Sequence, residues 1–300
     1  MSPMHSYISM VFVNVAWGLS FIASKHALNV GFSPMTLAFL RYVITATVLI
    51  PAVLIKEKGL RLQKRDIIPM FLSGLLGITL YYFFEYQGIQ RTTTVNASLI
   101  LASIPILTLV VDAAAMKTKL RMRQVLGAIL SLLGVYCVVR FGTDTGSTSF
   151  LGDLLIVGAS FVWVGYIFVS RKLRDRYSSL AMNAWQTVFA LFTLLPLALS
   201  EKSEWQPVSW DGWASAAGLA LICSALCYFL YGNALKQLSP VAISIFINLI
   251  PLVTILGGVA FLNETITVLQ VAGGLIIVAS ILLVNLPGGR KAPQPSAMEK

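Results

Sequence analysis

The stretch TVNASLILASIPILT at residues 94–108 returns 146 residues later as PVAISIFINLIPLVT at residues 240–254. The same shift aligns residues 82–135 with residues 228–281 without a gap. The identical pairs at this shift include Trp17/Trp163, Tyr82/Tyr228, Pro105/Pro251, Gln124/Gln270 and Gly127/Gly273. Apolar residues often match by chance, but Trp, Tyr, Pro and Gln matches at one shift indicate that the chain is built from two related halves.

The composition indicates whether water or lipid surrounds the folded chain. The 300 residues are 57% hydrophobic and only 11% charged, and their mean hydropathy is +0.81. A soluble domain carries about 25% charged residues, and 12 acidic with 22 basic side chains cannot cover a globule of 32.6 kDa. Long apolar runs without heptads, with 16 Phe, 10 Tyr and 6 Trp, exclude a disordered chain and a coiled coil. Lipid must therefore surround most of this chain.

The apolar runs have the length of membrane spans, since a helix needs about 20 apolar residues to cross the hydrocarbon core. Ten such runs occur, at residues 7–26, 34–55, 67–89, 94–115, 122–140, 151–171, 179–199, 211–234, 240–261 and 267–286. We therefore predict an all-α integral membrane protein with ten transmembrane helices, called spans 1 to 10. Its expected units are a first five-helix repeat at 1–146, a second at 147–288, and a mobile cytoplasmic tail at 289–300.

Lysine and arginine predict the orientation, because they are enriched in the cytoplasmic loops of membrane proteins. With the N-terminus inside, 17 of the 22 basic residues fall in inside segments and 4 in outside segments, while Arg41 lies within span 2. Both termini are thus expected in the cytoplasm, and the net charge of +10 needs no nucleic-acid partner. Residues 1–6 lack the basic start of a cleavable signal, so the bacterial inner membrane is the expected location.

The number of spans in each half has a consequence for topology. Five is odd, so the second set of spans must enter the membrane upside down relative to the first. Inverted repeats are the architecture of transporters that work by alternating access, with a substrate site near the midplane between the halves. We therefore expect two inverted five-helix repeats that enclose a central cavity.

Several short motifs resemble a known family. They are Ala16-Trp17-Gly18 in span 1, Leu40-Arg41-Tyr42 in span 2, and Leu262-Asn263-Glu264-Thr265 followed by Gln270 and Gly273. With the five-plus-five repeat, they are similar to the drug/metabolite transporter superfamily, in its EamA family. The resemblance covers nearly the whole chain and is strongest to bacterial amino-acid exporters, those of aromatic amino acids in particular. It implies a transporter; the family usually has the Glu264 type of acid in both halves, whereas the first half here has Thr118.

Aromatic side chains are the first candidates for the substrate site. Trp17 and Trp163 lie near the middle of spans 1 and 6, although tryptophan normally collects at membrane interfaces. Tyr82 and Tyr228 lie at mirrored depths in spans 3 and 8. These rings could line a broad cavity with a few hydrogen-bonding groups, or they could pack helices with their polar atoms satisfied. Recurrence of the tryptophan in both repeats favours the cavity for that pair.

Polar residues within the spans are costly in lipid, so each needs a partner or a ligand. Arg41 is predicted to pair with Glu85, to snorkel to the outer headgroups, or to meet a substrate carboxylate. Gln186, in the corresponding region of span 7, is predicted to hydrogen-bond either a substrate or a neighbouring helix. The remaining candidates for substrate contact are Asn14, Ser98, Ser244 and Asn248.

Prolines and glycines in the spans predict bends and close contacts. Pro105 and Pro251 lie mid-span in spans 4 and 9. A proline frees a carbonyl one turn earlier and permits a bend, so the pair is predicted to be either a hinge of the transport cycle or a static kink. Gly127, Gly134 and Gly273 in spans 5 and 10 predict a close approach of helices.

Two acidic residues near span ends are assigned structural roles. Asp112, one turn from the end of span 4, is expected to pair with Lys117 or Lys119 at the membrane interface. Glu264 lies between spans 9 and 10. Its carboxylate is expected among the first backbone N–H groups of span 10, where the helix dipole favours negative charge.

Catalysis has little support in the sequence. Cys137, Cys223 and Cys227 lie in apolar runs without a neighbouring histidine or acid, and an H-E-x-x-H motif is absent. We expect no metal and no cofactor, and an integral-membrane enzyme is disfavoured. The favoured function is export of amino acids or related metabolites by a monomer in the lipid bilayer. The alternative is a transporter of drug-like cations, nucleotide sugars or phosphates.

Overall fold

The computed structural model describes residues 3–57, 61–115, 117–141, 149–201, 208–234, 237–238 and 246–285; the predicted tail at 289–300 lies outside them. Regular structure within these ranges is entirely helical, which confirms the all-α fold. Eight of the described helices are long and apolar enough to cross a membrane, and two shorter apolar helices follow. Spans 1 to 10 are Met4–Asn29, Pro34–Glu57, Lys64–Arg91, Thr94–Ala115, Met122–Arg140, Phe150–Arg174, Ser179–Ser200, Trp210–Ala234, Leu249–Leu262 and Val268–Val284.

Several spans begin where the sequence supplies a suitable first residue. The side chains of Thr93, Ser149 and Ser178 accept hydrogen bonds from backbone N–H groups three residues ahead, at the starts of spans 4, 6 and 7. Pro34 is the first residue of span 2, where its missing N–H leaves no bond unmade. These residues fix the ends of the helices because they satisfy backbone groups that have no partner within the helix.

The two repeats contact each other through equivalent helices. Span 1 packs against spans 8 and 9, and span 6 packs against spans 3 and 4. Spans 2 and 7 pack against each other, and so do spans 5 and 10. Exchanging each span for its counterpart five spans away converts every one of these contacts into another contact of the same set. The repeats therefore form a pseudo-symmetric pair.

Spans 5 and 10 pack closely through the glycines that the sequence predicted to make such a contact. A Cβ atom at Gly134 would lie 2.8 Å from the Gly273 carbonyl oxygen, and one at Gly127 would lie 3.2 Å from the Ser280 carbonyl oxygen. Gly127 thus faces Ser280, and Gly134, about two turns further along span 5, faces Gly273, which comes earlier in span 10. The two helices are therefore antiparallel. Because they are repeat equivalents, the second repeat is upside down relative to the first.

Spans 3, 4 and 8 depart from regular α-helix. Span 3 contains a π-helical segment at Leu75–Leu80, and span 8 contains one at Leu219–Leu226, the equivalent region of the second repeat. Span 4 is divided into Thr94–Leu101 and Ile104–Ala115. Such interruptions disturb the backbone hydrogen bonding, which a membrane protein tolerates only where protein or a cavity surrounds the helix. Each of these regions has at least one side buried in the protein, while Leu221, Ile222 and Leu226 of span 8 are exposed.

The contact between spans 5 and 10 can be tested with one substitution at two glycines. Gly134→Ala is expected to lower the free energy of unfolding by about 1–3 kcal/mol, because the added methyl group meets the Gly273 carbonyl oxygen. Gly218→Ala is the control, since nothing lies within 4 Å of its added Cβ atom. The apparent melting temperature in one detergent measures both. Equal melting temperatures for the two variants would contradict the close contact.

Candidate functional site

A small, partly open cavity lies among spans 2, 3, 6, 7 and 8, so both repeats contribute to its wall. Its lining residues are Tyr42, Thr45, Leu49, Gly77, Ile78, Trp163, Tyr166, Asn183, Gln186, Thr187, Ser224 and Tyr228. Aromatic rings together with a few hydroxyl and amide groups are the surface expected of a small-molecule site. Of the residues predicted for the substrate site, Trp163, Gln186 and Tyr228 line this cavity.

The π-helical segments lie directly before the tyrosines of the site. Leu75–Leu80 precedes Tyr82, and Leu219–Leu226 precedes Tyr228. A π turn contains an additional residue, so it rotates the side chains that follow it relative to a continuous α-helix. Tyr228 lines the cavity, whereas Tyr82 is buried behind the wall, with its ring centroid 5.6 Å from that of Tyr42. The two repeats thus use the same backbone feature to place two tyrosines differently.

The two repeat-related tryptophans also differ in their surroundings. Trp163 lines the cavity, and its ring centroid lies 4.8 Å from that of Tyr81 and 4.8 Å from that of Tyr166. Trp17 is not among the lining residues: its indole N–H donates to the Cys223 carbonyl oxygen at 3.1 Å, and its ring packs on two tyrosines of span 8. Trp163 is therefore a wall of the cavity, while Trp17 joins spans 1 and 8.

Arg41 lies behind the cavity wall with only 3% of its surface exposed. Its Nε atom donates to Ser224 Oγ at 2.8 Å, and its Nη1 atom donates to the Tyr86 hydroxyl at 2.8 Å. The guanidinium carbon lies 4.8 Å from the centroid of the Tyr82 ring. Among the described residues, no carboxylate oxygen lies within 4.0 Å of its nitrogens. Arg41 is thus a buried cation, held by neutral groups.

Glu85 is buried beside this cation but does not form a contact ion pair with it. Its Oε1 atom accepts a hydrogen bond from the Tyr81 hydroxyl at 2.9 Å. The ring of Tyr81 packs on the ring of Tyr82, over which the Arg41 guanidinium lies, so the two groups belong to one cluster. Two of the roles predicted for Arg41 are therefore not found. It forms no direct ion pair with Glu85, and it does not snorkel to the headgroups, because its almost fully buried guanidinium donates hydrogen bonds to spans 3 and 8.

Span 7 supplies the polar part of the cavity wall. Gln186 is buried, and its side-chain amide donates to Ser73 Oγ at 3.1 Å. Asn183 and Thr187 line the same cavity from the same helix. Thr187 is the repeat equivalent of Arg41 at the shift of 146. Sequence reasoning missed both residues, although their i, i+4 spacing around the candidate Gln186 placed them on one helix face.

Other predicted site residues lie away from the lining. Asn14 is buried and donates to the Met10 carbonyl oxygen at 2.6 Å. Ser98 donates to the Val95 carbonyl oxygen within its own helix at 3.0 Å. Asn248 directly precedes the helix of span 9 without capping it through its side chain. Ser244 lies outside the described residues.

The two prolines follow breaks in their spans. Pro105 is the second residue of Ile104–Ala115, after a turn at residues 102–103, and Pro251 is the third residue of Leu249–Leu262. Proline fits the first turn of a helix because its missing N–H has no partner there. Each proline therefore lies in the first turn of a helical segment. That position suits both of the roles predicted for the pair.

A buried polar network that the sequence did not reveal joins spans 4, 6 and 10. Asp153 is 2% exposed, and its carboxylate accepts from the Thr92 hydroxyl at 2.6 Å and from the Asn96 amide at 3.1 and 3.2 Å. The Gln270 amide donates to Asn96 Oδ1 at 2.6 Å. Only Gln270 carried a signal, as part of the family-like motif. Its partners come together because spans 4, 6 and 10 meet at this end of the bundle.

Glu264 corrects one prediction. Its carboxylate accepts from the Thr94 N–H at 2.8 Å, the Thr94 hydroxyl at 2.9 Å and the Val95 N–H at 3.1 Å. It therefore caps the start of span 4, and the expectation that it caps span 10 was wrong. The role at a helix N-terminus is as predicted, but the helix differs because span 9 ends beside the start of span 4, as their packing shows.

Asp112 corrects a second prediction. Its carboxylate pairs with Arg171 of span 6 at 3.0 Å and not with the predicted Lys117 or Lys119. The second part of span 4 packs against span 6, which brings Arg171 closer than the lysines that follow in the chain. Among the described residues, no group of three or more His, Cys, Asp or Glu side chains could hold a metal ion.

Comparison with known proteins agrees with this geometry. The sequence profile of the EamA-like transporter family matches residues 4–140 and again residues 150–286. An uncharacterized transporter of Archaeoglobus fulgidus is 25% identical, over 93% of this chain and 97% of its own. The S-adenosylmethionine/S-adenosylhomocysteine transporter of Chlamydia trachomatis serovar L2 is 28% identical, over 86% and 82%. A probable terminal-alkyne amino-acid exporter of Streptantibioticus cattleyicolor is 23% identical, over 92% of each chain.

A solved crystal structure has the same fold. It superposes on this chain with a TM-score of 0.65, covers 94% of this chain and 96% of its own, and is 18% identical in sequence. At that identity the likeness concerns the fold alone. It extends over the whole ten-span arrangement and not over one repeat.

The buried network around Asp153 can be tested against an exposed carboxylate. Asp153→Asn is expected to cost about 1–3 kcal/mol of unfolding free energy, because one of its two buried donors loses an acceptor. Asp112→Asn removes only a partly exposed ion pair, which contributes about 0–1 kcal/mol. Thermal unfolding of both variants in the same detergent gives the comparison. A larger loss for Asp112→Asn would show that the network does not hold spans 4 and 6 together.

Proposed function

Because the chain belongs to the EamA-like transporter family, we propose that it exports amino acids, aromatic ones among them, or closely related metabolites from the bacterial cytoplasm. It is a multi-pass membrane transporter and not an enzyme, as its family and its relatives indicate. Its substrates are small molecules. Cargo, direction of transport and an alternating-access mechanism are what we add to that membership.

The observation that carries the proposed cargo is the buried Arg41 beside an aromatic cavity. A buried ion costs several kcal/mol unless a counter-charge offsets it, and the described carboxylates stay more than 4.0 Å from this guanidinium. A cargo carboxylate would supply the missing contact, since arginine binds carboxylates through two parallel hydrogen bonds. Trp163 and the tyrosines of the wall offer apolar surface to a side chain.

The lining of the cavity argues against the alternative cargoes. None of the described lining residues is a lysine, arginine, aspartate or glutamate. A nucleotide sugar or phosphate carries two or more negative charges and would need several basic groups in contact with it. A drug-like cation without a carboxylate would leave the buried Arg41 guanidinium without a counter-charge. The buried groups behind the wall are one basic residue, Arg41, and one acidic residue, Glu85, and this balance suits a small cargo without net charge.

Two relatives support a cargo that contains an amino-acid group. One is named an exporter of a terminal-alkyne amino acid, and the other a transporter of S-adenosylmethionine and S-adenosylhomocysteine. Each of those compounds carries an α-ammonium and an α-carboxylate group. The rest of each compound is very different, so a site that binds the common group beside aromatic side chains would serve both.

The inverted repeats support alternating access. Equivalent helices meet across the interface of the halves, so exchanging the conformations of the two halves would move an opening from one membrane face to the other. We propose repeats at 1–146 and 147–288, a cytoplasmic tail at 289–300, both termini in the cytoplasm and a monomer in the bacterial inner membrane. The bias of Lys and Arg toward one face supports this orientation.

Transport by purified protein in liposomes tests the cargo. Vesicles are loaded with labelled phenylalanine, methionine or glutamine, and efflux is compared with protein-free vesicles. We expect saturable efflux of at least phenylalanine that unlabelled amino acids inhibit. Tetraphenylphosphonium, UDP-glucose and inorganic phosphate serve as competitors from the other cargo classes. Efflux of all three amino acids at the rate of protein-free vesicles would overturn the proposal, and so would stronger inhibition by one of these competitors than by unlabelled amino acids.

Trp163 is predicted to matter for transport more than for folding. Trp163→Ala is expected to reduce phenylalanine efflux about tenfold, or 1.4 kcal/mol, because the cavity loses an aromatic wall that also contacts Tyr81 and Tyr166. Trp210→Ala is the matched control, since Trp210 is 85% exposed at the start of span 8. Expression and elution volume report folding. Normal efflux by well-folded Trp163→Ala protein would show that Trp163 is not part of the substrate site.

A further inference from the structure

Arg41 and Glu85 are two buried, opposite charges that do not touch. They are 3% and 7% exposed, and the described structure holds no salt bridge of 4.0 Å or less between them. Opposite charges buried in one low-dielectric region attract strongly, so a pair that stays apart is held apart by its other contacts.

Each charge has hydrogen-bonding capacity that the described residues do not use. Arginine has five N–H donors, and two of the Arg41 nitrogens donate to Ser224 and Tyr86. Glu85 accepts one bond, from the Tyr81 hydroxyl to Oε1. The described residues place no donor on its Oε2 atom. A carboxylate with an open oxygen and a guanidinium with open N–H groups therefore lie in the same buried region.

Both charges are one contact away from the cavity. Ser224 lines the cavity and accepts from Arg41, so it connects the guanidinium to the wall. Trp163 lines the cavity and packs on Tyr81, which holds Glu85. A ligand that rotated the Trp163 or Ser224 side chain would reach the two charges from the cavity. Lys25, a cation of span 1, is occupied elsewhere by the backbone carbonyls of Ile89 and Thr92.

We infer that Arg41 and Glu85 together form a receptor for the zwitterionic α-amino-acid group. In it the cargo carboxylate accepts hydrogen bonds from Arg41, and the cargo ammonium donates to Glu85. An α-amino acid carries these two charges on one carbon, so a single group would bridge a pair that the protein holds apart. This inference rests on the proposed function and adds to it the group that the site recognises.

The receptor predicts selectivity that a single arginine would not give. A carboxylic acid without the ammonium leaves Glu85 without a partner, and an amine without the carboxylate leaves Arg41 without one. A site with buried polar groups rejects ligands that fail to pair them, often by large factors. The aromatic cavity then accommodates the variable side chain with little discrimination.

Binding to the purified full-length protein tests this selectivity without any variant. The probes are phenylalanine, its deaminated acid 3-phenylpropionate and its decarboxylated amine phenethylamine, with methionine, 4-(methylthio)butanoate and 3-(methylthio)propylamine as a second series. We expect each amino acid to bind at least tenfold more tightly than its own acid and amine. Wild-type protein that binds the acid or the amine as tightly as the amino acid would contradict the receptor.

Two variants then assign the charges. Glu85→Gln is expected to weaken phenylalanine binding at least tenfold and to leave 3-phenylpropionate binding unchanged. Arg41→Gln is expected to weaken phenylalanine binding and to leave phenethylamine binding unchanged. Asp153→Asn is the control for loss of a buried carboxylate, and it should change all three affinities by one common factor. A common factor for Glu85→Gln as well would show that Glu85 does not contact the ammonium.

The two proposals fail in different ways. Liposomes that release no amino acid contradict the proposed function. Liposomes that release amino acids, from a protein that does not discriminate against the acid and the amine, contradict the zwitterion receptor and leave the exporter standing. Melting temperatures of the variants separate a change in binding from a loss of fold, and the comparison of analogues on wild-type protein does not depend on them.

Discussion

The lack of hydrogen-bonding partners in lipid is the constraint on which this structure depends. It forces the backbone into helices, because each N–H and C=O group must be satisfied within the protein. The departures from regular α-helix in spans 3, 4 and 8, and before Pro251 in span 9, each lie in a part of the chain that packs against other helices. The same constraint explains why Glu264 and Asp153 are placed where they are. Glu264 accepts from backbone N–H groups at the start of span 4, and Asp153 accepts from the buried Asn96 amide. Fold and site are therefore two results of one rule.

The repeats share a backbone but not a chemistry. At the shift of 146, Arg41 corresponds to Thr187 and Glu85 to Tyr231, so each charge of the cavity region occurs once. Symmetric helix packing is what an alternating mechanism requires, since both halves must adopt both conformations. An asymmetric cargo such as a zwitterion requires the opposite, one cation and one anion. The two halves share Gly127/Gly273 and Gln124/Gln270, whereas neither Arg41 nor Glu85 has a charged counterpart in the second half.

The fold was predictable from the sequence because it follows from properties of single segments. Apolar length located the spans, the odd number in each repeat gave the inversion, and Gly134 with Gly273 identified the contact of spans 5 and 10. The site was less predictable because it depends on which helices are neighbours. Trp17 and Trp163 are equivalent in sequence but not in surroundings, and Asp153 had no visible partner until spans 4 and 6 met.

The two ends of the bundle also have equivalent contacts between helices that are made by different residues. His26 pairs with Asp211 at 2.7 Å, joining the end of span 1 to the start of span 8. Arg176 pairs with Asp66 at 2.5 Å, joining the segment after span 6 to the start of span 3, which is the equivalent place in the inverted repeat. The first pair is exposed to solvent and stabilises little, whereas the second uses a buried aspartate that also accepts from Tyr177. Sequence differences between the halves thus give the two equivalent ends of the bundle ion pairs of different burial.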